Sequence, residues 1–201
     1  MPKDSFRELV EIMQTLRGES GCPWDRKQTH KSLRQYLLEE TYEVLECIDQ
    51  NDMEALRQEL GDLLLQVVFH GQIASENQDF DIDGIIRAIS EKLIARHPNV
   101  FGEQVIETAE EQVHNWERLK RLEGRDSVID GVPKQLPSLL RAHRIQQKAS
   151  HAGFDWPVVD DVWKKLLEEI EELQQVASGT DRHRIEEEFG DVLFSLVNLS
   201  R

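Results

Sequence analysis

Two groups of acidic side chains in this sequence have the spacing of a metal-binding site. Each group combines Glu-Glu-x-x-Glu on one predicted helix with Glu-x-x-Asp on the next. The first group is Glu39, Glu40, Glu43, Glu59 and Asp62, and the second is Glu168, Glu169, Glu172, Glu188 and Asp191. A constant offset of 129 positions, as from Glu39 to Glu168, relates the two groups. This regularity indicates an internal duplication of one helical unit.

Apolar neighbours predict that these acids lie inside a helical bundle. Glu59 and Asp62 share a narrow stripe of a helix flanked by leucines and valines, so we expect that helix to be mostly buried. An unpaired ionised carboxylate is costly in such a place and needs a counter-charge. A metal ion is the first candidate, and pairing with arginine is the alternative.

The donor chemistry narrows the choice of metal. Glu40 and Glu43 lie beside the apolar face of their helix, whereas Glu39 points further towards solvent, so the first two are the better ligands. Together with Glu59 and Asp62 they offer carboxylate oxygens without a matching Cys or His. Such a set suits Mg²⁺ or Mn²⁺ rather than zinc.

Composition and charge exclude several other classes of protein. The chain has 201 residues, of which 39% are hydrophobic, enough for one or two packed domains. A net charge of −15 disfavours polymeric nucleic acid and anionic membranes as partners. We find neither an apolar run long enough to span a bilayer nor a signal-peptide pattern, so we expect no membrane association and a cytoplasmic location.

Apolar periodicity predicts an all-α chain. The predicted helices cover residues 4–17, 30–50, 53–75, 82–97, 107–123, 138–150, 158–177 and 182–201. A segment rich in Gly and Pro is predicted to link the two copies, which gives a first domain at 1–124, a linker at 125–137 and a second domain at 138–201.

Basic and aromatic side chains after the first acidic group could hold an anionic ligand. Lys92 and Arg96 lie one helical turn apart, and so do Trp116 and Lys120. An ordinary solvated face and a core tryptophan are the alternative interpretations. An aromatic segment also precedes each acidic group, GCPWD at 21–25 and GFDWP at 153–157. Each segment could form the rim of a base pocket, or it could be a hydrophobic plug.

Eight motifs along the chain carry a family resemblance: GCPWD, QTH, LEETYEV, ELGDLLLQVVFH and RHPNVF, followed by GFDW, LEEIEEL and EEFGDVLFSLVNLSR. Together they resemble the two-domain MazG family of nucleoside triphosphate pyrophosphohydrolases. The resemblance covers essentially the whole chain. It implies tandem helical bundle units related to dimeric all-α dUTPases and assembly as a homodimer. It also implies Mg²⁺-dependent conversion of an NTP or dNTP into its monophosphate and pyrophosphate, which removes surplus or aberrant nucleotides.

The resemblance also implies roles for individual residues. The metal ligands would be Glu40, Glu43, Glu59 and Asp62 in the first copy and Glu169, Glu172, Glu188 and Asp191 in the second. Lys165 and Arg184 would approach the phosphates, and Glu39 or Glu168 would orient or deprotonate the attacking water. Counterparts of Lys92 and Arg96 in the second copy would fall past residue 201, so the chain resembles a version shortened at its carboxyl end.

Two other classes remain open at this point. A helical module that binds Mg²⁺ and nucleotide without hydrolysis is the main alternative. A di-iron bundle requires Glu-x-x-His motifs on two helices. Glu111 and His114 have this spacing but lie outside the repeated groups, which argues against iron.

Overall fold

The helices of the computed structural model follow the periodicity of the sequence. The structure describes residues 5–122 and 127–201, without the side chains of residues 109, 110, 114, 117 and 120–122. The helices are α1 (Ser5–Arg17), α2 (Pro23–Lys27), α3 (Arg34–Gln50), α4 (Met53–Glu76), α5 (Ile82–Arg96), α6 (Pro98–Phe101), α7 (Ala109–Leu122), α8 (Ser138–His151), α9 (Val159–Ala177) and α10 (Arg182–Leu199). These described residues contain no strand, and the predicted all-α class is confirmed.

Each predicted helix is present, with its ends shifted by a few residues at most. Two short helices, α2 and α6, were not predicted. Both begin with a proline, which is favoured at the first helical position because it lacks an N–H that would be unpaired there anyway. The predicted linker begins at residues 125 and 126, outside the described part, and continues through turns at 127–136.

The first of two compact units spans Met1–His97. Its α3 and α4 form a helical hairpin joined by Asn51, which has a left-handed φ of 55°, and by Asp52. The Asp52 side chain accepts hydrogen bonds from the backbone N–H groups of Glu54 and Ala55 at 3.1 and 3.0 Å, and so caps α4. This hairpin brings the Glu-Glu-x-x-Glu segment of α3 against the Glu-x-x-Asp segment of α4.

The core of the first unit lies towards the carboxyl end of α4. Its most buried members are Met13, Leu33, Val68, Phe69 and Ile73. Both α1 and α5 pack against α4 in this region. The acidic half of the hairpin therefore extends beyond the part of α4 that neighbouring helices cover.

The second unit spans Pro98–Arg201 and repeats the hairpin with α9 and α10. Asp181 caps α10 by accepting a hydrogen bond from the Arg184 N–H at 3.3 Å. Helix α8 packs against α10, where the Gln146 side chain donates a hydrogen bond to the Phe194 carbonyl at 2.7 Å. The domain limits predicted from the sequence, 1–124 and 138–201, stay predictions.

The predicted burial of the acidic half of α4 is wrong within a single chain. Leu60, Leu64 and Val67 are 48%, 39% and 37% exposed. They recur at the i, i+4, i+7 spacing of one helix face, as do the exposed Leu38, Tyr42 and Leu45 of α3. We call these six residues the open face. No helix within the described residues is long and apolar enough to cross a membrane.

Candidate metal centres

The α3–α4 hairpin brings three predicted ligands together in the first unit. Carboxylate oxygens of Glu40, Glu43 and Glu59 all lie within 4.8 Å of one another. Glu40 and Glu59 are half-buried, and Glu43 is exposed. Asp62, the fourth predicted ligand, is exposed one turn after Glu59 and borders the cluster.

The pKa of Glu40 shows that the carboxylates of this first cluster repel one another. Burial raises the pKa of Glu40, and the negative charges of Asp62 and Glu43 raise it further. A hydrogen bond to the Glu43 carboxylate and the charge of Glu59 act in the same direction. Like charges held this close favour either a bound proton or a bound cation.

The second unit builds the same cluster from the duplicated positions. Carboxylate oxygens of Glu169, Glu172 and Glu188 lie within 4.8 Å of one another. Glu169 is 6% exposed, and Asp191 is again exposed one turn after the α10 glutamate. Desolvation raises the pKa of Glu172, as do the charges of Glu188 and Glu169.

A lysine distinguishes the second cluster from the first. The Lys165 ammonium lies 2.8 Å from a carboxylate oxygen of Glu168 and 2.9 Å from one of Glu169. These two contacts raise the pKa of Lys165 above its ordinary value. The offset of 129 places Tyr36 at the corresponding position of the first unit. The spacing of Lys165 from Glu169, four residues, was the signal in the sequence for this pair.

Three other predicted site residues, Glu39, Glu168 and Arg184, are exposed on the paired helices. Glu39 is exposed and accepts a hydrogen bond from Gln35 at 3.0 Å, whereas the carboxylate of Glu168 is held by Lys165. Arg184 is exposed in the first turn of α10, four residues before Glu188.

The predicted anion-binding residues lie on α5 and α7. Lys92 is exposed and Arg96 is half-buried, one turn apart on α5 in the first unit. Trp116 is half-buried on α7, which belongs to the second unit. The side chain of Lys120 lies outside the described part of the structure.

Two histidines that the sequence pattern did not single out lie together in the first unit. The Nδ1 atoms of His30 and His70 are 2.7 Å apart, and the rings stack with a centroid distance of 5.0 Å. Burial, followed by the neighbouring His30, lowers the pKa of His70. Their separation of 40 residues left no local signal for this contact.

Both clusters fit a hard divalent cation. Each presents three carboxylates from two helices that are fixed by a hairpin, and within the described residues neither a thiol nor an imidazole is among the grouped ligands. Oxygen donors of this kind suit Mg²⁺, Mn²⁺ or Ca²⁺. The helices therefore provide two clusters of carboxylates that suit a divalent cation.

The fold and these two clusters define an all-α protein with a duplicated group of closely spaced carboxylates. The MazG nucleotide pyrophosphohydrolase domain family matches residues 28–101 and 160–201, which contain both clusters and make up more than half of the chain. This chain belongs to that family.

Relatives extend the similarity over nearly the whole chain. The nucleoside triphosphate pyrophosphohydrolase/pyrophosphatase MazG of Thermotoga maritima is 48% identical over 98% of this chain and 75% of that protein. The nucleoside triphosphate pyrophosphohydrolase of Escherichia coli K12 is 46% identical over 96% of this chain and 76% of that protein. A solved mazG-related protein from Thermotoga maritima is 31% identical, with a TM-score of 0.49 over 57% of this chain and 98% of that one.

Proposed function

We propose that this protein is a Mg²⁺-dependent nucleoside triphosphate pyrophosphohydrolase that converts an NTP or dNTP into its monophosphate and pyrophosphate. The observation that carries the proposal is the duplicated cluster of three carboxylates within 4.8 Å on paired helices. Membership of a nucleotide pyrophosphohydrolase family and the printed activities of the relatives support it. Removal of surplus or aberrant nucleotides in the cytoplasm is the role that we infer.

The carboxylates supply the metal-binding part of the reaction. Cations would bind to Glu40, Glu43, Glu59 and Asp62 in the first unit, and to Glu169, Glu172, Glu188 and Asp191 in the second. Mg²⁺, or Mn²⁺ in its place, would offset the triphosphate charge and polarise its oxygens. The raised pKa values of Glu40 and Glu172 support this assignment, because burial and then the repulsion of neighbouring carboxylates raise them, and a bound cation offsets both effects.

The remaining residues would position the reactants. A water oxygen attacks the α-phosphorus, the bond from that phosphorus to the α,β-bridging oxygen breaks, and pyrophosphate leaves. Glu39 or Glu168 would orient the water and take its proton. Basic side chains would contact the phosphates, Lys92 and Arg96 in the first unit and Lys120, Lys165 and Arg184 in the second. Trp116 would add an aromatic surface against the nucleotide.

We further propose that the protein forms a homodimer through the open face. Six apolar side chains at helical spacing are exposed on α3 and α4, and burying such a face stabilises an assembly in proportion to its area.

The acidic net charge of −15 favours a small cation-bound nucleotide over polymeric nucleic acid as the ligand.

Pyrophosphate release from each NTP and dNTP in the presence of Mg²⁺ tests the proposal. We expect turnover by the parent chain and its loss in one of two double variants, Glu40→Gln/Glu43→Gln or Glu169→Gln/Glu172→Gln. The variant that loses activity identifies the catalytic unit. Glu91→Gln, an exposed change on α5, is the control. Mg²⁺-dependent nucleotide binding without any turnover would instead establish a non-catalytic binding module.

A further inference from the structure

A cavity of about 420 Å³ lies in the second unit, beside the helix that carries Glu188 and Asp191. It is formed by α8, by α10 and by the segment between α8 and α9. Its size falls within the range of about 300–1,000 Å³ that is typical of small-molecule sites. The residues that matter for its chemistry are Gln146, Phe154, Trp156, Phe194, Asn198 and Arg201.

The cavity and Asp191, the predicted ligand that follows the second acidic cluster, share one face of α10. Phe194 and Asn198 follow Asp191 by three and seven residues, the spacing of neighbours on a helix surface. At the helical rise per residue, Asn198 lies about 10 Å beyond Asp191 along the axis. A nucleotide spans a comparable length between its phosphates and its base.

A buried amide in the cavity wall needs a hydrogen-bond donor. Gln146 is 4% exposed, and its amide nitrogen donates to the Phe194 carbonyl at 2.7 Å. Its carbonyl oxygen is buried without a hydrogen-bond partner. Native proteins rarely leave a buried acceptor unpaired, because its lost hydration is not replaced. An N–H group of a ligand would supply the partner.

Exposed aromatic rings border the same cavity on an anchored segment. Trp156 is 44% exposed and Phe154 is 78% exposed. Gly153 adopts a φ of +88°, which favours glycine, and the Asp155 carboxylate accepts hydrogen bonds from Ser150 Oγ at 2.8 Å and from the Trp156 N–H at 2.9 Å. Fixed aromatic rings with open faces are surfaces on which nucleobases stack.

The first unit fills the corresponding space with its own side chains. The offset of 129 places Phe69 at the position of Asn198. Phe69 is 3% exposed and packs in the core with Met13. Both units therefore keep the acidic cluster. At the position of the buried Phe69 ring in the first unit, the second unit has the amide of Asn198 beside the cavity.

We propose that this cavity receives the base of a nucleoside triphosphate whose phosphates lie at the second acidic cluster. The base stacks on Trp156, and one of its N–H groups donates a hydrogen bond to the Gln146 carbonyl oxygen. The proposal rests on the proposed function for the position of the phosphates. It adds the unit that holds the base and the residues that contact it.

Binding measured without turnover tests this assignment. Calorimetry compares an α,β-methylene nucleoside triphosphate analogue with inorganic tripolyphosphate, each with Mg²⁺, on the parent chain and its variants. We expect Trp156→Ala to weaken binding of the analogue about tenfold while binding of tripolyphosphate is unchanged. Asn198→Phe, which installs the residue of the first unit, should block the analogue alone. Trp163→Ala, an exposed aromatic change on α9 outside the cavity, should leave both affinities unchanged.

Several results would overturn the assignment. These are unchanged binding of the analogue in both cavity variants, equal loss of tripolyphosphate binding, and no binding of the analogue by the parent chain. Circular dichroism checks that each variant is folded, and Asn198→Phe provides the test if Trp156→Ala unfolds. Pyrophosphate release is measured separately, so a parent chain that binds the analogue without turnover contradicts the catalytic proposal and not the base site.

Discussion

The Lys165 ammonium lies 2.9 Å from a carboxylate oxygen of Glu169, within an acidic cluster whose duplicate has Tyr36 at the corresponding position. Glu169 is buried, so this lysine partly neutralises the negative charge that a metal ion would otherwise meet. Tyr36 instead packs edge-on against Trp24, with ring centroids 5.8 Å apart. The two clusters thus share their carboxylates and differ in the charge beside them.

Removing the lysine charge should strengthen metal binding at the second cluster. We expect Lys165→Met to tighten Mn²⁺ binding about fivefold, because a partly exposed ion pair of this kind is worth up to about 1 kcal/mol. Electron paramagnetic resonance titration measures free Mn²⁺, with Glu40→Gln/Glu43→Gln present to silence the first cluster. Lys164→Met is the matched control, since that exposed ammonium pairs with Asp161 instead. Weaker Mn²⁺ binding by Lys165→Met would contradict this interpretation.

Stabilisation by Mg²⁺ should grow as the pH rises. The pKa of Glu40 and that of Glu172 are raised in the folded protein, so metal-free folded protein binds protons more tightly than unfolded chain. Without metal, its stability therefore falls as the pH rises through these raised values. Mg²⁺ binds the ionised form and should raise Tm more at about pH 7.5 than at about pH 5.

Calorimetric melting with and without Mg²⁺ measures this difference. Glu40→Gln together with Glu172→Gln should remove most of it, while Glu91→Gln should not. An increase in Tm that is equal at both pH values would place the bound Mg²⁺ at groups other than these carboxyls.

A charge on the open face should prevent dimerisation. Leu45 and Leu60 are each 48% exposed in the single chain, so substituting either one should change the free energy of unfolding of the monomer only slightly. We expect Leu45→Glu to convert a dimer into a folded monomer, because an ionised carboxylate cannot be buried at an apolar interface without a partner. Light scattering at micromolar concentration measures the mass. Val105→Glu, at a position 80% exposed outside the open face, should remain dimeric. A monomeric parent chain would contradict the proposed dimer.

Arg17 should stabilise the first unit more than any surface ion pair of that unit. Its side chain is 6% exposed and contacts Glu76 at 2.6 Å, the Gln28 carbonyl at 3.3 Å and the Asp25 carbonyl. We expect Arg17→Ala to lower the free energy of unfolding by roughly 2 kcal/mol, since it leaves two half-buried carbonyls and the partly exposed Glu76 without the buried guanidinium. Urea titration measures the change.

Arg57→Ala provides the comparison for Arg17, because its pair with Glu54 is 72% and 68% exposed and should contribute far less to the free energy of unfolding. The hydrogen bond from Arg17 lowers the pKa of Glu76, so that pair contributes above the ordinary carboxyl pKa and is lost as the pH falls below it. Equal losses in the two arginine variants would show that Arg17 adds nothing beyond a surface pair.

The helices, the duplication and the grouping of the acids could all be predicted from the spacing of residues along the chain. Helical periodicity is a local property, so it placed each of the longer helices within a few residues. Asp52 and Asp81 directly precede α4 and α5, and the side chain of each accepts a hydrogen bond from the first turn of its helix. The short link between α3 and α4 then required Glu40, Glu43 and Glu59 to meet.

Spacing along the chain could not predict which faces of these helices are covered, because that depends on contacts between distant segments. Neighbouring helices pack on the carboxyl-terminal half of α4, so Phe69 is buried while Leu60 and Asp62 on the same helix are exposed. The contact of His30 with His70 and the cavity beside Asn198 likewise depend on segments far apart in the chain. A residue's spacing fixes its position around one helix, but its burial depends on which other elements occupy the space beside it.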